Sequence, residues 1–205
     1  MKLKICGMKY RANIQEVAEL QPDYLGFIFY KKSPRFCNGE LPEIPNTIAK
    51  VGVFVNAPLS EILNKIKAYN LQLVQLHGEE SPEICEVLRL INIKVIKTFS
   101  IDDTFDFETL RPYEPVCDYF LFDTKGKHYG GNGTTFNWEI LKKYPSQKPF
   151  FLSGGIGLEE ISKLKQLNLP IYALDVNSKF ETEPGLKNSN ACKKIIQILK
   201  QHSWV

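Results

Sequence analysis

Two groups able to share acid–base work stand far apart in the chain: Cys6 in KICGM (4–8) and Asp123 in YFLFD (119–123). A thiol and a carboxyl can divide the roles of general base and general acid when their pKa values are pushed apart. Lys4 lies two residues before Cys6 and shares its face if the stretch is a strand. An ammonium beside a thiol favours the thiolate, so a value below the ordinary one of about 8.5 is expected for Cys6. His77 in LVQLH and Asp175 in IYALDV close two further apolar runs. Arg35 in KKSPRF (31–36) has the planar fork that grips a carboxylate through two hydrogen bonds. SGGIG (153–157) sets Gly154 and Gly155 ahead of a helical segment, where backbone amides and a helix N-terminus favour an anion. Asn177 and Ser178 follow the last apolar run and could complete a phosphate site. Taken singly, each residue has a plainer explanation. Free cysteines usually pack as small hydrophobes, aspartates cap loops, and basic runs are often solvated faces.

These residues need a frame that brings them together. Eight short runs are rich in β-branched and aromatic residues: 3–6, 24–29, 50–55, 73–77, 94–99, 119–123, 149–153 and 171–176. They are continuously apolar rather than alternating, as strands buried on both faces are. Helical spacing appears between them, in NIQEVAEL (13–20), in EILNKIKAY after Ser60, in SPEICEVLRL (81–90), in FNWEILKKY (136–144), in GLEEISKLKQL (157–167) and in NSNACKKIIQILK (188–200). Ser60 reads as a helix cap, and Ser81-Pro82 as a helix start. Strand starts recur at about the length of one βα unit. The expected fold is α/β: a single-domain (β/α)8 TIM barrel over residues 1–205, with a shortened second βα unit because ELPEIPNTIAK (40–50) carries two prolines. An open doubly wound sheet is the alternative, but the first strand ends in CGM rather than GxGxxG. In a barrel the site lies where strands end, and that is where the polar residues of this chain concentrate. The glycine-rich stretch DTKGKHYGGNGTTFNW (123–138) is then a candidate lid.

Composition narrows the class. The chain has 205 residues, 43% hydrophobic and 24% charged, with a net charge of +3. Such a balance is typical of a soluble globular protein and gives no case for nucleic acid as the main partner. No apolar run approaches the ~20 residues of a membrane span, and the N-terminus lacks a signal-peptide core. Five cysteines without a CxxC pair argue against a disulfide framework or a zinc site and for a reducing cytoplasm.

KICGM, GFIFYKKSPR, VGVFVN, VQLHG, FDTKG with GGNGTTFNW, LSGGI and LDVNSKFE occur in the order and spacing of a known family. The chain resembles phosphoribosylanthranilate isomerase, the (β/α)8 enzyme of tryptophan biosynthesis, over nearly its whole length. The resemblance implies an Amadori rearrangement of N-(5-phosphoribosyl)anthranilate to 1-(2-carboxyphenylamino)-1-deoxyribulose 5-phosphate, with no metal or organic cofactor. It implies a small phosphosugar as the partner and a monomer or homodimer as the assembly. It assigns Asp123 as general acid, Cys6 as general base, Arg35 as the grip on the anthranilate carboxylate, and His77 and Asp175 as pocket residues. Gly154, Gly155, Asn177 and Ser178 fall to the phosphate. The sequence departs from the family at Asn132, Thr134 and Asn137, where Ser, Lys and Asp are common, and at Lys179, where glycine is common. A glycine-only conformation at Lys179 would disturb the phosphate loop. A phosphosugar isomerase of the histidine pathway would use two aspartates, whereas strand one ends here in Cys6. A non-catalytic phosphate-binding barrel would not need both a candidate acid and a candidate base.

Overall fold

Apolar runs and amphipathic segments alternate along the chain, and they close into a barrel of eight parallel strands in chain order. The computed structural model describes residues 1–124, 137–164, 169 and 171–201. The strands are β1 (Lys2–Ile5), β2 (Tyr24–Ile28), β3 (Ala49–Phe54), β4 (Leu73–Leu76), β5 (Lys94–Ile101), β6 (Tyr119–Thr124), β7 (Phe150–Leu152) and β8 (Ile171–Val176). β8 returns to β1 through Leu3↔Leu174 and Ile5↔Val176.

The runs are unbroken because both of their faces are covered. Tyr24, Val51, Leu73, Ile96, Leu121, Phe151 and Ala173, one from each of β2 to β8, form a cluster of their own. Residues adjacent to them in the chain, such as Leu25, Val74, Val95, Phe120, Phe122, Phe150, Leu152 and Leu174, belong to the larger cluster shared with the helices. The two-residue period of a strand sends the first set inward and the second outward. Two residues further along the same strands stand Gly26, Gln75, Thr98, Asp123, Ser153 and Asp175, which therefore face the mouth. The sheet thus carries an apolar floor and a polar rim on one inner surface.

Helices cover the outside. α1 (Arg11–Glu19) buries Asn13, Ile14, Val17 and Ala18 as one stripe. α2 (Leu59–Tyr69) begins after Pro58, so Ser60 lies inside its first turn and is not its cap. It stops at Asn70, whose φ of 48° is left-handed and whose amide returns to the Ile66 carbonyl. α3 (Pro82–Leu90) starts as the Ser81-Pro82 pair predicts, though Ser81 contributes extended backbone rather than a side-chain bond. α4 (Ile161–Leu164) is short, and the expected continuation to 167 falls outside the described residues. α5 (Ser189–Gln201) buries Cys192, Ile195, Ile196 and Leu199.

After β5 and β6 the connections are 3-10 turns, Phe107–Tyr113 and Trp138–Lys143. Pro112 lies inside the first, and α-helical propagation is blocked there. Asp106 and Asn137 cap them by accepting from the Glu108 and Glu139 amides. Between β2 and β3 there is no helix, in line with the prolines at 42 and 45, and Cys37 and Ile48 are buried from this loop. A hairpin of β9 (Glu181–Glu183) and β10 (Leu186–Lys187), which the strand pattern did not predict, follows β8. Among the described residues no helix is long and apolar enough to cross a membrane.

Candidate active site

Cys6 leaves β1 with its amide bonded to the Val176 carbonyl at 2.9 Å, and its side chain is buried. A Cβ on Gly26 of the neighbouring strand would stand 2.8 Å from its Sγ, so the thiol occupies space that only glycine leaves open. Lys4 is wholly buried on the same face. Its Nζ donates to Asp175 Oδ2 at 2.8 Å and to Gln75 Oε1 at 2.7 Å. Burial opposes the Lys4 ammonium, but Asp175 and Cys6 outweigh it and hold its pKa above the ordinary value. Burial pushes the Asp175 carboxyl up while Lys4 opposes that shift. The two groups lie 2.8 Å apart, and each opposes what burial does to the other.

The Cys6 thiol differs from the expectation of a depressed value. Burial pushes it up, and Asp175 adds to this, against the pull of Lys4 and Lys187. The expectation counted the neighbouring ammonium and omitted the loss of solvent around the sulfur.

The amide of Gln75 orders the next link. Its Oε1 accepts from Lys4, so its Nε2 is the donor to Thr98 Oγ1 at 3.2 Å and to His77 Nδ1 at 3.0 Å. A neutral His77 accepting at Nδ1 carries its proton on Nε2. That nitrogen lies 3.5 Å from Asp123 Oδ2. Asp123 Oδ1 accepts from the Thr124 amide at 2.9 Å. A chain of contacts therefore runs from Asp175 through Lys4, Gln75 and His77 to Asp123, and Cys6 lies on the same strand face as Lys4, within reach of its charge. Gln75 was not among the sequence candidates. Its signal was a polar residue in the middle of an apolar strand, two positions before His77 and so on the same face.

Asp123 and Asp175 also line one cleft together with Ser153, Gly154, Gly155, Asn177, Ser178 and Lys179. Gly154 and Gly155 have φ of 91° and 63°, which L side chains rarely adopt. A Cβ on Gly154 would also stand 2.7 Å from the Thr124 amide nitrogen. Lys179 does not need glycine: it lies in a 3-10 turn, Ser178–Phe180, and is not among the residues of positive φ. The loop is therefore not disturbed in the way its departure from the family suggested. Among the described residues, the buried Asp175 Oδ1 and Thr124 Oγ1 find no hydrogen-bond partner. The cleft thus joins an end lined by the Gly154–Gly155 backbone, the Ser178 hydroxyl and the Lys179 side chain to a carboxylate-lined end.

Arg35 lies at the edge of the same mouth. A Cβ on Gly7, whose φ is 76°, would meet Arg35 Cδ and Asn177 Oδ1, each at 2.7 Å. The arginine stem therefore crosses directly over the residue after Cys6. Its guanidinium is paired with Glu181, which the sequence reading did not single out. Residues 125–136, where a lid was expected, lie outside the described residues. Among the described residues no group of three or more His, Cys, Asp or Glu side chains is arranged to hold a metal ion.

Comparison with known proteins bears directly on this arrangement. The sequence model of N-(5'-phosphoribosyl)anthranilate isomerase matches residues 3–198. The chain belongs to that family. The N-(5'-phosphoribosyl)anthranilate isomerase of Parabacteroides distasonis is 45% identical over 204 residues, covering 96% of this chain and 92% of the relative. The crystal structure of the Thermotoga maritima phosphoribosyl anthranilate isomerase superposes with a TM-score of 0.86 at 31% identity, covering 98% of this chain and 100% of that one. A second structure, a phosphoribosyl anthranilate isomerase in complex with reduced 1-(o-carboxyphenylamino)-1-deoxyribulose 5-phosphate, gives 0.84 at 30% identity, covering 98% and 100%. The family's activity is an isomerisation within tryptophan biosynthesis, and this chain is an isomerase of that family on the (β/α)8 barrel.

Proposed function

We propose that Cys6 and Asp123 perform the rearrangement as general base and general acid, with the phosphosugar bound across the cleft between them. The observation that carries this reading is the chain of contacts from Asp123 through His77 and Gln75 to Lys4, whose charge reaches Cys6. Asp123 gives its proton to the ribose ring oxygen, the C1–O bond breaks, and the anthranilate nitrogen becomes a Schiff base. That cation acidifies the C2–H, and Cys6 takes the proton in its thiolate form, which burial disfavours and the Lys4 ammonium supports, to leave an enolamine. Protonation at C1 and loss of the C2 hydroxyl proton convert the enolamine to the 2-ketose. The Nε2–H of His77 steadies the carboxylate that Asp123 becomes. Asp175 Oδ1, buried without a donor among the described residues, is positioned to accept from a sugar hydroxyl.

Phosphate binds at Gly154 and Gly155 with Asn177 and Ser178, and the Arg35 guanidinium takes the anthranilate carboxylate. The whole chain acts as one barrel domain, as a monomer or homodimer in the reducing cytoplasm. The Thermotoga maritima relative, a dimeric protein also obtained as monomers, supports both assemblies.

The test is turnover of freshly made N-(5-phosphoribosyl)anthranilate by Cys6→Ala and Asp123→Asn. General acid–base catalysis is worth about a hundredfold to ten-thousandfold, and kcat is expected to fall by that much in each variant while the melting curve is kept. Near-normal turnover in either would remove its assigned role.

A further inference from the structure

The carboxylate of Glu181 is more fully engaged than any other at the mouth. Its Oε1 accepts from Arg35 Nε at 2.9 Å, Lys187 Nζ at 2.6 Å and the Gly185 amide at 3.1 Å. Its Oε2 accepts from Arg35 Nη2 at 2.8 Å and Nε at 3.0 Å. The β9–β10 hairpin places Glu181 directly opposite Lys187, and Lys187 is fixed from behind. Asn13 of α1 holds both backbone groups of Lys187, accepting from its amide at 2.7 Å and donating to its carbonyl at 2.9 Å. Lys187 Nζ also donates to Asn177 Oδ1 at 2.7 Å, beside the phosphate cleft. With every acceptor direction taken, the Glu181 carboxylate has no rotation left to it. Burial opposes its ionisation, but Arg35 and Lys187 outweigh burial and hold it below the ordinary glutamate value, so it is charged at neutral pH.

A guanidinium has a side-on edge, Nε with Nη2, and an end-on edge, Nη1 with Nη2. Glu181 takes the side-on edge, while Nη1 makes no hydrogen bond among the described residues. The arginine stem is confined on its other side by Gly7, which has no room for a Cβ beneath it. We propose that Glu181 is a positioning residue for substrate specificity: it clamps Arg35 side-on, so that the end-on edge meets the aromatic carboxylate of the substrate bidentately. The proposal rests on the reading of Arg35 given above. It explains why a protein that must bind an anion keeps one of its own against the arginine. A free guanidinium turns about its stem, whereas a clamped one offers a planar pair of donors at fixed height above Gly7.

The experiment compares kcat/KM for N-(5-phosphoribosyl)anthranilate with that for N-(5-phosphoribosyl)aniline, which lacks the carboxylate. Wild type, Glu181→Gln, Glu181→Asp and Arg35→Ala are measured. Glu181→Gln keeps the size and loses the charge. Glu181→Asp keeps the charge near Lys187 and withdraws from the arginine edge, and it serves if the first variant fails to fold. In both Glu181 variants the preference for the carboxylate substrate should fall about tenfold, the size of one ion-assisted contact, mainly through KM. If Arg35→Ala abolishes the preference and the Glu181 variants keep it, the clamp is overturned and the role of Arg35 stands. If Arg35→Ala itself keeps the preference, the reading of Arg35 falls and the clamp with it. Rates that fall equally for both substrates in the Glu181 variants would make Glu181 merely structural and overturn the proposal.

Discussion

The two ends of the barrel solve the problem of buried polarity in opposite ways. At the floor, Tyr24, Tyr119 and Tyr172 gather around Phe151, with ring centroids between 4.7 and 5.6 Å apart. Their hydroxyls serve one another: Tyr24 meets Tyr172 at 3.0 Å, and Tyr119 donates to Tyr172 at 3.3 Å. At the mouth, Lys4, Gln75, His77, Asp123 and Asp175 are also linked, yet among the described residues Asp175 Oδ1 and Thr124 Oγ1 are left without partners. A closed network adds stability, whereas an open one holds binding capacity in reserve at some cost to it. Only two residues along a strand separate the apolar floor from the polar mouth, as from Leu121 to Asp123 or from Ala173 to Asp175.

The comparison breaks if the ends are not separable. The largest effect is expected at the floor. Phe151→Ala removes a fully buried ring and should cost about 3–5 kcal/mol of stability in denaturant unfolding, with kcat reduced far less than by changes at the mouth. A catalytic loss as deep as that of Asp123→Asn would show that the floor also shapes the chemistry.

Lys4→Met is the middle case. It deletes the ammonium that opposes burial at Cys6, so the thiol should titrate still higher. The proposed base must be deprotonated to work, so activity at pH 7 should fall and recover as pH rises, the rising limb moving upward. Thiol alkylation followed against pH should shift with it. An unmoved profile would remove Lys4 from the tuning of Cys6.

The smallest effect belongs to Tyr172→Phe, which takes out the hydroxyl shared by two bonds at the floor. It should lower stability by about 1–2 kcal/mol and leave KM and kcat as they are. A changed KM would sharpen the contrast by showing where floor and mouth communicate.

Much of the frame was legible in the sequence. All eight strands fall where continuous apolar runs were read, because double-sided burial forces that composition. The missing second helix followed from its prolines. The 3-10 turns were less visible, since FNWEILKKY has helical spacing but too little length to propagate an α-helix. Cys6, Asp123, His77, Asp175 and the SGG loop could be named from strand ends. Their partners could not. Gln75 looked like one polar residue in a strand, and the use of both ends of its amide appears only when the barrel closes, so that Lys4 reaches it across the interior from β1 while Thr98 flanks it on β5. Lys187 reads as a surface lysine beside GL, and its burial comes from Asn13, 174 residues away along the chain. The raised thiol of Cys6 depends on desolvation, which no neighbour in sequence reveals.

Gly26 carries a different kind of consequence. It has no reactive atom and lies on a strand that supplies none of the proposed acid–base groups, yet the hydrogen in place of its side chain is what makes room for the sulfur. The depth at which the nucleus of the reaction sits is thus set by negative space on an adjoining strand. A methyl group added there would register as crowding in a packing survey and as a mistuned reagent in a chemical one. In this barrel a residue can govern reactivity by what it leaves out.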